Sequence, residues 1–314
     1  MDLSALCDFR KRIISNCSKV IVGKEDEIFD VLVCFLCSGH ILLEDVPGTG
    51  KTILLRTFAK TIGGSFNRIQ FTPDILPSDL TGINFYNQKS GDFEFRPGPL
   101  FANMVLADEI NRATPRTQSS LLEAMAERQI TVDGVTHMMD EPFMIMATQN
   151  PLESHGTFPL PDAQTDRFFM RLSLGYMTRD EEISVVSGVD TLDIIGELEQ
   201  QTTLDEIMSY KAFYKEIEVS RDVVGYLMNI IESTRNDSRI RIGVSTRGAI
   251  AAYRAAQASA GLEGRDYVIP EDIQRLAPKV LAHRLSLAGI SGTGEDLHVL
   301  DEIIKAVPVP LENA

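Results

Sequence analysis

Residues 42–55, LLEDVPGTGKTILL, constrain this chain more than any other stretch. An apolar strand-like run meets a turn rich in Gly and Pro, and a Lys-Thr pair then opens a helix-like run. From Asp45 to Thr52 the order follows the phosphate-loop pattern G-x-x-x-x-G-K-[ST] at every fixed position but the first, where Asp45 stands in place of Gly. Gly48 and Gly50 carry no Cβ, so the backbone can curl until successive N–H groups face phosphate oxygens. Lys51 supplies a point charge for the β- and γ-phosphates, and the Thr52 hydroxyl can ligate Mg²⁺. The helix that follows turns its N-terminal dipole toward the anion. Strand before and helix after is the setting this motif requires.

Holding a triphosphate needs no more than that; breaking it needs an acid near the γ-phosphate. Residues 101–109, FANMVLADE, read as a buried strand closing in two acids. Asp108 is placed to hold Mg²⁺, through water, beside Thr52. Glu109, one residue further, is placed to polarise the attacking water.

The surrounding pattern predicts a parallel, doubly wound α/β sheet. Residues 1–38 read as helical, with Gly39 as the stop, and 40–45, 66–71, 101–109, PFMIMATQNP and DRFFMRLSL read as strands. Helices are predicted over 51–62 and 114–128. Two hairpins are predicted, one around Lys89-Ser90-Gly91 and one turning at Asp133-Gly134. After Gly175 strand-like alternation gives way to helices around 179–188, 203–215, 220–235, 246–260 and 271–286. Thr178-x-x-Glu181 and Thr203-x-x-Glu206 look like capping boxes. The division predicted is an ATPase domain over 1–178 and a smaller all-α lid over 179–314.

Composition excludes several classes. No apolar run reaches the ~18 residues of a membrane span, and the N-terminus lacks a signal-peptide core, so a cytoplasmic protein is expected. The net charge of −15 argues against general nucleic-acid binding, which calls for a basic face. Cys34 and Cys37 form a C-x-x-C pair, but on one face of an apolar helix they read as packed thiols rather than a metal site. His137 and His155 fit no ligand spacing and read as loop or surface residues.

The chain resembles AAA+ ATPases, and IQFTPDILPSDLTG, GPLFANMVLADEINRATPRTQSSLLEAM and TQNPLESHGTFPLPDAQTDRFFMRL resemble the MoxR group within them. Asp45 fits that resemblance, because EDVPGxGKT is usual there. The resemblance implies an AAA+ phosphate-loop sheet with a helix-2 insert, the two hairpins near 83–96 and 130–139 being the insertions. It implies ATP and Mg²⁺ as cofactors, with Pro47, Gly48, Thr49, Gly50, Lys51, Thr52, Ile53 and Asp108 around the nucleotide. By the same resemblance Asn150 matches sensor 1, Arg167 the arginine finger, Arg247 sensor 2, and Gly23 the adenine-side segment. Lys51, Glu109, Asn150, Arg167 and Arg247 form the implied catalytic set. Arg112 and Arg116 are candidates for the subunit interface. Phe85, Tyr86, Phe93 and Phe95 read first as cross-strand pairs, with gripping of a partner as the second reading.

A MoxR-type chain is expected to form a homo-oligomeric ring, a hexamer, and to use ATP hydrolysis for chaperone-like remodelling or metal insertion in a protein client. A companion carrying a von Willebrand factor A domain is also implied. The ATPase subunit of a magnesium or cobalt chelatase shares the insert architecture and stands as an alternative. A nucleic-acid motor is a further alternative, which the acidic balance disfavours. A scaffold that binds nucleotide without cleaving it would need no water-activating acid.

Overall fold

The computed structural model describes residues 2–45, 48–149, 156–188, 191–289 and 294–310, the side chains of 191 and 192 excepted. Two helices open the chain, α1 (Leu3–Cys17) and α2 (Glu25–Leu36). The Asp2 carboxylate caps α1 by accepting from the Ala5 N–H at 2.8 Å. Every residue of α2 from Ile28 to Leu36 is buried, so this helix is core beyond its first turn and its Cys34 packs as an apolar residue. Cys34 and Cys37 are both free thiols, and burial raises the pKa of each.

Then follow β1 (Ile41–Glu44), α3 (Lys51–Ile62), β2 (Phe66–Gln70), the short α4 (Pro77–Thr81), and the hairpin β3 (Gly82–Asn87) and β4 (Asp92–Pro97). Next come β5 (Met104–Asp108), α5 (Pro115–Glu127), and the hairpin β6 (Gln129–Val132) and β7 (Val135–Met138). After them lie β8 (Met144–Gln149), α6 (Asp162–Thr165) and β9 (Met170–Leu172). Strands β1, β2, β5, β8 and β9 form one parallel sheet in the order β2-β5-β8-β1-β9. The inner strands are apolar without interruption because both faces of a parallel sheet are covered. Ile41, Leu43, Met104, Leu106, Met144 and Met146 point into a core shared with α1, α2 and α3. Their neighbours Leu42, Val105, Ala107, Ile145 and Ala147 point into a second core with α5, as the two-residue pleat dictates.

The hairpins sit where expected, and their side chains divide. Phe95 stacks on His137 with ring centroids 3.8 Å apart, and Asn84 bonds Asp133 at 2.9 Å, so the two hairpins brace each other. His137 therefore lies on a strand in aromatic contact, not in a loop. Its place on the face of β7 that meets β4 is a non-local pairing that ligand spacing does not encode. Tyr86 and Phe93 pair across the strands at 5.5 Å and remain 54% and 73% exposed.

The rest of the chain holds α7 (Arg179–Val186), α8 (Thr191–Glu197), α9 (Leu204–Phe213), α10 (Arg221–Asn236), β10 (Ile240–Ile242), α11 (Thr246–Leu262), α12 (Pro270–Leu281), β11 (Ser286–Leu287) and α13 (Glu295–Ala306). Thr178 and Glu181 form the reciprocal cap of α7. Helix α12 stops at Leu281, five residues short of the predicted end, and the chain runs into β11, which pairs antiparallel with β10. That two-stranded ladder, α8 and α13 are additions to the predicted lid. Helix α1 packs on the lid as well as on the sheet: Phe9 stacks on Tyr210 at 4.5 Å, and Arg12 bonds Glu206 at 2.7 Å.

His40, just before β1, links the two layers from inside the core. Its Nδ1 accepts from the Ile145 N–H at 2.9 Å, so its Nε2 carries the proton and donates to the Met125 carbonyl at 3.1 Å. A second proton on Nδ1 would set donor against donor. Burial first, then the positive charges of Arg128 and Lys211, lower its pKa to about 4. The folded state thus binds fewer protons than the unfolded state between the ordinary value of 6.5 and about 4, and stability rises with pH across that window. The contribution is complete above pH ~6.5 and is lost as pH falls toward ~4, up to about 3 kcal/mol. Urea denaturation between pH 7 and 4 should show a shallower pH slope in His40→Gln than in wild type, and equal slopes would refute the assignment.

Candidate functional site

The C-terminal ends of the sheet strands bring the polar residues together. Strand order sets Gln70 beside Asp108 and Glu44 beside Gln149, and this edge of an open parallel sheet is where ligands bind. A cleft of about 330 Å³ opens there, lined by Asp45, Gly48 to Ile53, Arg68, Gln70, Asp108, Glu109, Thr148 and Gln149.

Gly48 and Gly50 have φ of +90° and +85°. A Cβ at either would meet nothing within 4 Å, so the left-handed backbone and not crowding calls for glycine here. Gly50 also precedes α3 directly, so the loop delivers the first turn of that helix, with the positive end of its dipole, to the cleft. Lys51 Nζ donates to the Asp45 carbonyl at 3.2 Å, which folds the ammonium back along the loop.

Asp108 and Glu109 stand on the opposite wall. Asp108 accepts from Arg68 at 2.6 Å and from the Thr148 hydroxyl at 2.7 Å. Thr148 Oγ1 in turn accepts from the Glu109 N–H at 2.8 Å. Glu109 itself has φ 58° and ψ 48°, a left-handed conformation uncommon for this residue. It turns the side chain out of the strand line, and Gln70 and Arg112 both donate to its Oε2 at 2.8 Å. Arg112 thus serves the acid of its own chain. Arg68, Gln70 and Thr148 are site residues that the sequence reading missed; they lie on β2 and β8, the strands that flank β5, and their only signal is polarity toward the C-terminal end of a strand.

Asp45 is buried, and its carboxylate accepts from Ser173 Oγ at 2.8 Å, the Leu174 N–H at 2.6 Å and the Gly175 N–H at 3.1 Å. Next to it Glu44, whose pKa burial raises against the pull of Arg171, pairs with Arg171 at 3.3 Å, and Arg171 reaches on to Asp296 at 2.6 Å. The end of β1 is therefore tied to the chain after β9 and to α13.

Of the remaining predicted residues, Pro47 and Asn150 lie outside the described residues. Arg167 is not in the cleft: it is exposed and donates to the Leu122 carbonyl of α5 at 3.0 Å. It does not pair with Asp166, whose carboxylate instead takes Arg284 and, at 3.3 Å, Arg247. Arg247 is thus also outside the cleft, on the Arg167 side of the molecule, because its helix α11 begins against the 166–169 segment. Gly23 has φ +69°, and the place of its absent Cβ is taken by the Glu181 side chain. The space beside Gly23 belongs to the first turn of α7.

Residues 40–170 match the ATPase family associated with various cellular activities (AAA), and residues 232–303 match the AAA lid domain. The chain is 46% identical over 306 residues to the uncharacterized protein YeaC of Bacillus subtilis, covering 96% of this chain and 95% of that one. It is 37% identical over 316 residues to the chaperone MoxR1 of Mycobacterium tuberculosis, covering 97% of this chain and 83% of that one. The crystal structure of a putative ATPase from Cytophaga hutchinsonii superposes with a TM-score of 0.89 at 37% identity, over 98% of both chains. With the sheet, the phosphate loop and the paired acids in one cleft, the chain belongs to the MoxR family of AAA+ ATPases.

Proposed function

We infer that this chain binds ATP with Mg²⁺ in the cleft at the end of β1 and hydrolyses it. The work is done as a homo-oligomeric ring and drives remodelling or assembly of a protein client. The observation that carries this reading is the meeting of the Gly48–Thr52 loop with Asp108 and Glu109 across one cleft. The donor set fits the cofactor: a hydroxyl at Thr52 and a carboxylate at Asp108 are the hard oxygens that Mg²⁺ takes. When bound, Mg²⁺ would neutralise charge on the β- and γ-phosphates and polarise the phosphoryl group.

The chain's own residues supply the rest. The N–H groups at the start of α3 and the Lys51 ammonium bind the phosphates. Glu109 accepts the proton of the attacking water. Gln70 and Arg112 fix its orientation through one carboxylate oxygen, and Thr148 holds Asp108 and the Glu109 backbone in register. Arg167 acts on the cleft of a neighbouring copy, and Arg247 stands beside that finger rather than over its own cleft. The near-complete match to a chaperone relative supports a protein client over a tetrapyrrole-chelating complex. A von Willebrand-type companion fits the same reading.

The test is nucleotide binding and phosphate release by the wild-type chain and Lys51→Ala. Removing the ammonium is expected to weaken binding of a fluorescent ATP analogue about tenfold or more and to abolish turnover. Equal binding and turnover in the two proteins would overturn the reading.

A further inference from the structure

The ordinary phosphate-loop pattern has glycine where this chain has Asp45, so a carboxylate there is not needed to curl the loop. What it does is visible in its bonds. Asp45 is 6% exposed, and both carboxylate oxygens are spent on three successive residues, Ser173, Leu174 and Gly175. Those residues are the first after β9 and begin the only covalent path from the sheet to α7 and the lid. Gly175 has φ +61°, a left-handed turn at the point where the path leaves the carboxylate. Three residues on, Thr178 caps α7, and Glu181 in its first turn lies against Gly23.

We propose that Asp45 is a positioning residue that fastens the 173–175 connection to the phosphate loop, so that a shift of the loop on nucleotide occupancy is passed to the lid. This rests on the ATP-hydrolysing reading above. The phosphate loop keeps its own contact whatever side chain stands here, because Lys51 bonds the Asp45 backbone carbonyl. Asp45→Gly therefore separates the two roles: the loop returns to the common pattern, and the carboxylate's three bonds to the connection are lost. Hydrogen bonds to a buried charged group are among the stronger ones in a protein, so the lost coupling is expected to be measurable.

The chain has no Trp, and Tyr176 is 76% exposed immediately after the fastened residues. Tyr176→Trp thus places one fluorophore on the connection. In that background, wild-type Asp45 is expected to give a change in emission on adding ADP or a slowly hydrolysed ATP analogue. With Asp45→Gly the change should fall about threefold or more and kcat about tenfold, while KM and the affinity for a fluorescent ADP stay within about threefold. Asp45→Asn keeps an acceptor for Ser173 and Gly175 but turns an amide N–H₂ toward the Leu174 N–H. It should lie between the two, and it carries the test alone if Asp45→Gly lacks a cooperative thermal melt.

Emission change and kcat equal to wild type in the folded variant would overturn the proposal. So would a loss of nucleotide affinity as large as that of Lys51→Ala, which would put Asp45 in the phosphate cradle instead. A parent protein that binds nucleotide with no change in Trp emission would also overturn it. A parent that binds no nucleotide at all would overturn the ATPase reading itself, and the proposal with it.

Discussion

In Glu109→Gln, ATP turnover is expected to fall by about 10²–10⁴, the usual contribution of a positioned general base, while nucleotide affinity stays within about threefold. Gln has the shape of Glu, and its amide oxygen still accepts from Gln70 and Arg112, which now bond Oε2 of the acid at 2.8 Å. The left-handed backbone at position 109 and the Thr148 contact to its N–H do not involve the side chain. What the substitution removes is the capacity to take a proton. A fall in kcat without a rise in KM is the pattern for an interaction made only in the transition state. Single-turnover hydrolysis with a separate binding titration would check both halves. Turnover near wild type would take Glu109 out of the chemistry, and a matching loss of affinity would mark the change as damage to the cleft. The same variant held with ATP should retain its client, which makes affinity capture from the native source the way to identify that client.

Much of this site was legible because its strongest signals are local. The phosphate loop needs Gly at two positions and Lys-Thr after them for reasons that lie within eight residues, and α3 runs over Lys51–Ile62 as the sequence reading has it. The acids at 108 and 109 end an apolar run and were readable for the same reason. Arg68, Gln70 and Thr148 were not, because nothing local says that β2 and β8 flank β5; that order is set by crossover connections. Asp45 looked like a variant loop residue until residues 173–175, more than a hundred positions away, came into contact with it. Helix α13 carries buried Val299, Leu300, Ile303 and Ile304, a helical spacing that was there to be read. The β10–β11 ladder is only a few residues long and had no alternation to show. The side of the molecule on which Arg247 lies depends on how the lid packs, which no motif encodes.

Arg167→Ala should lower turnover further than Glu109→Gln does, and only in the assembled protein. An arginine finger stabilising charge on the γ-phosphate is worth about 10³–10⁵ in turnover. Within one chain Arg167 does not line the cleft; its guanidinium meets the Leu122 carbonyl. The segment that carries it is held by Arg284, which donates to the carbonyls of Asp166 and Phe168 at 2.7 Å each. A residue so mounted is presented outward from a fixed backbone, and it reaches a triphosphate only if a second copy brings one to it. Nucleotide affinity of the unassembled chain should therefore be unchanged by the substitution. The decisive measurement mixes two inactive proteins, Arg167→Ala with an intact cleft and Lys51→Ala with an intact finger. In a ring assembled at random from equal amounts, about a quarter of interfaces pair an intact cleft with an intact finger. Turnover should recover toward that fraction of wild type as subunits exchange. If the finger acts within its own chain, no mixture can restore it, and activity will stay at the level of the separate variants.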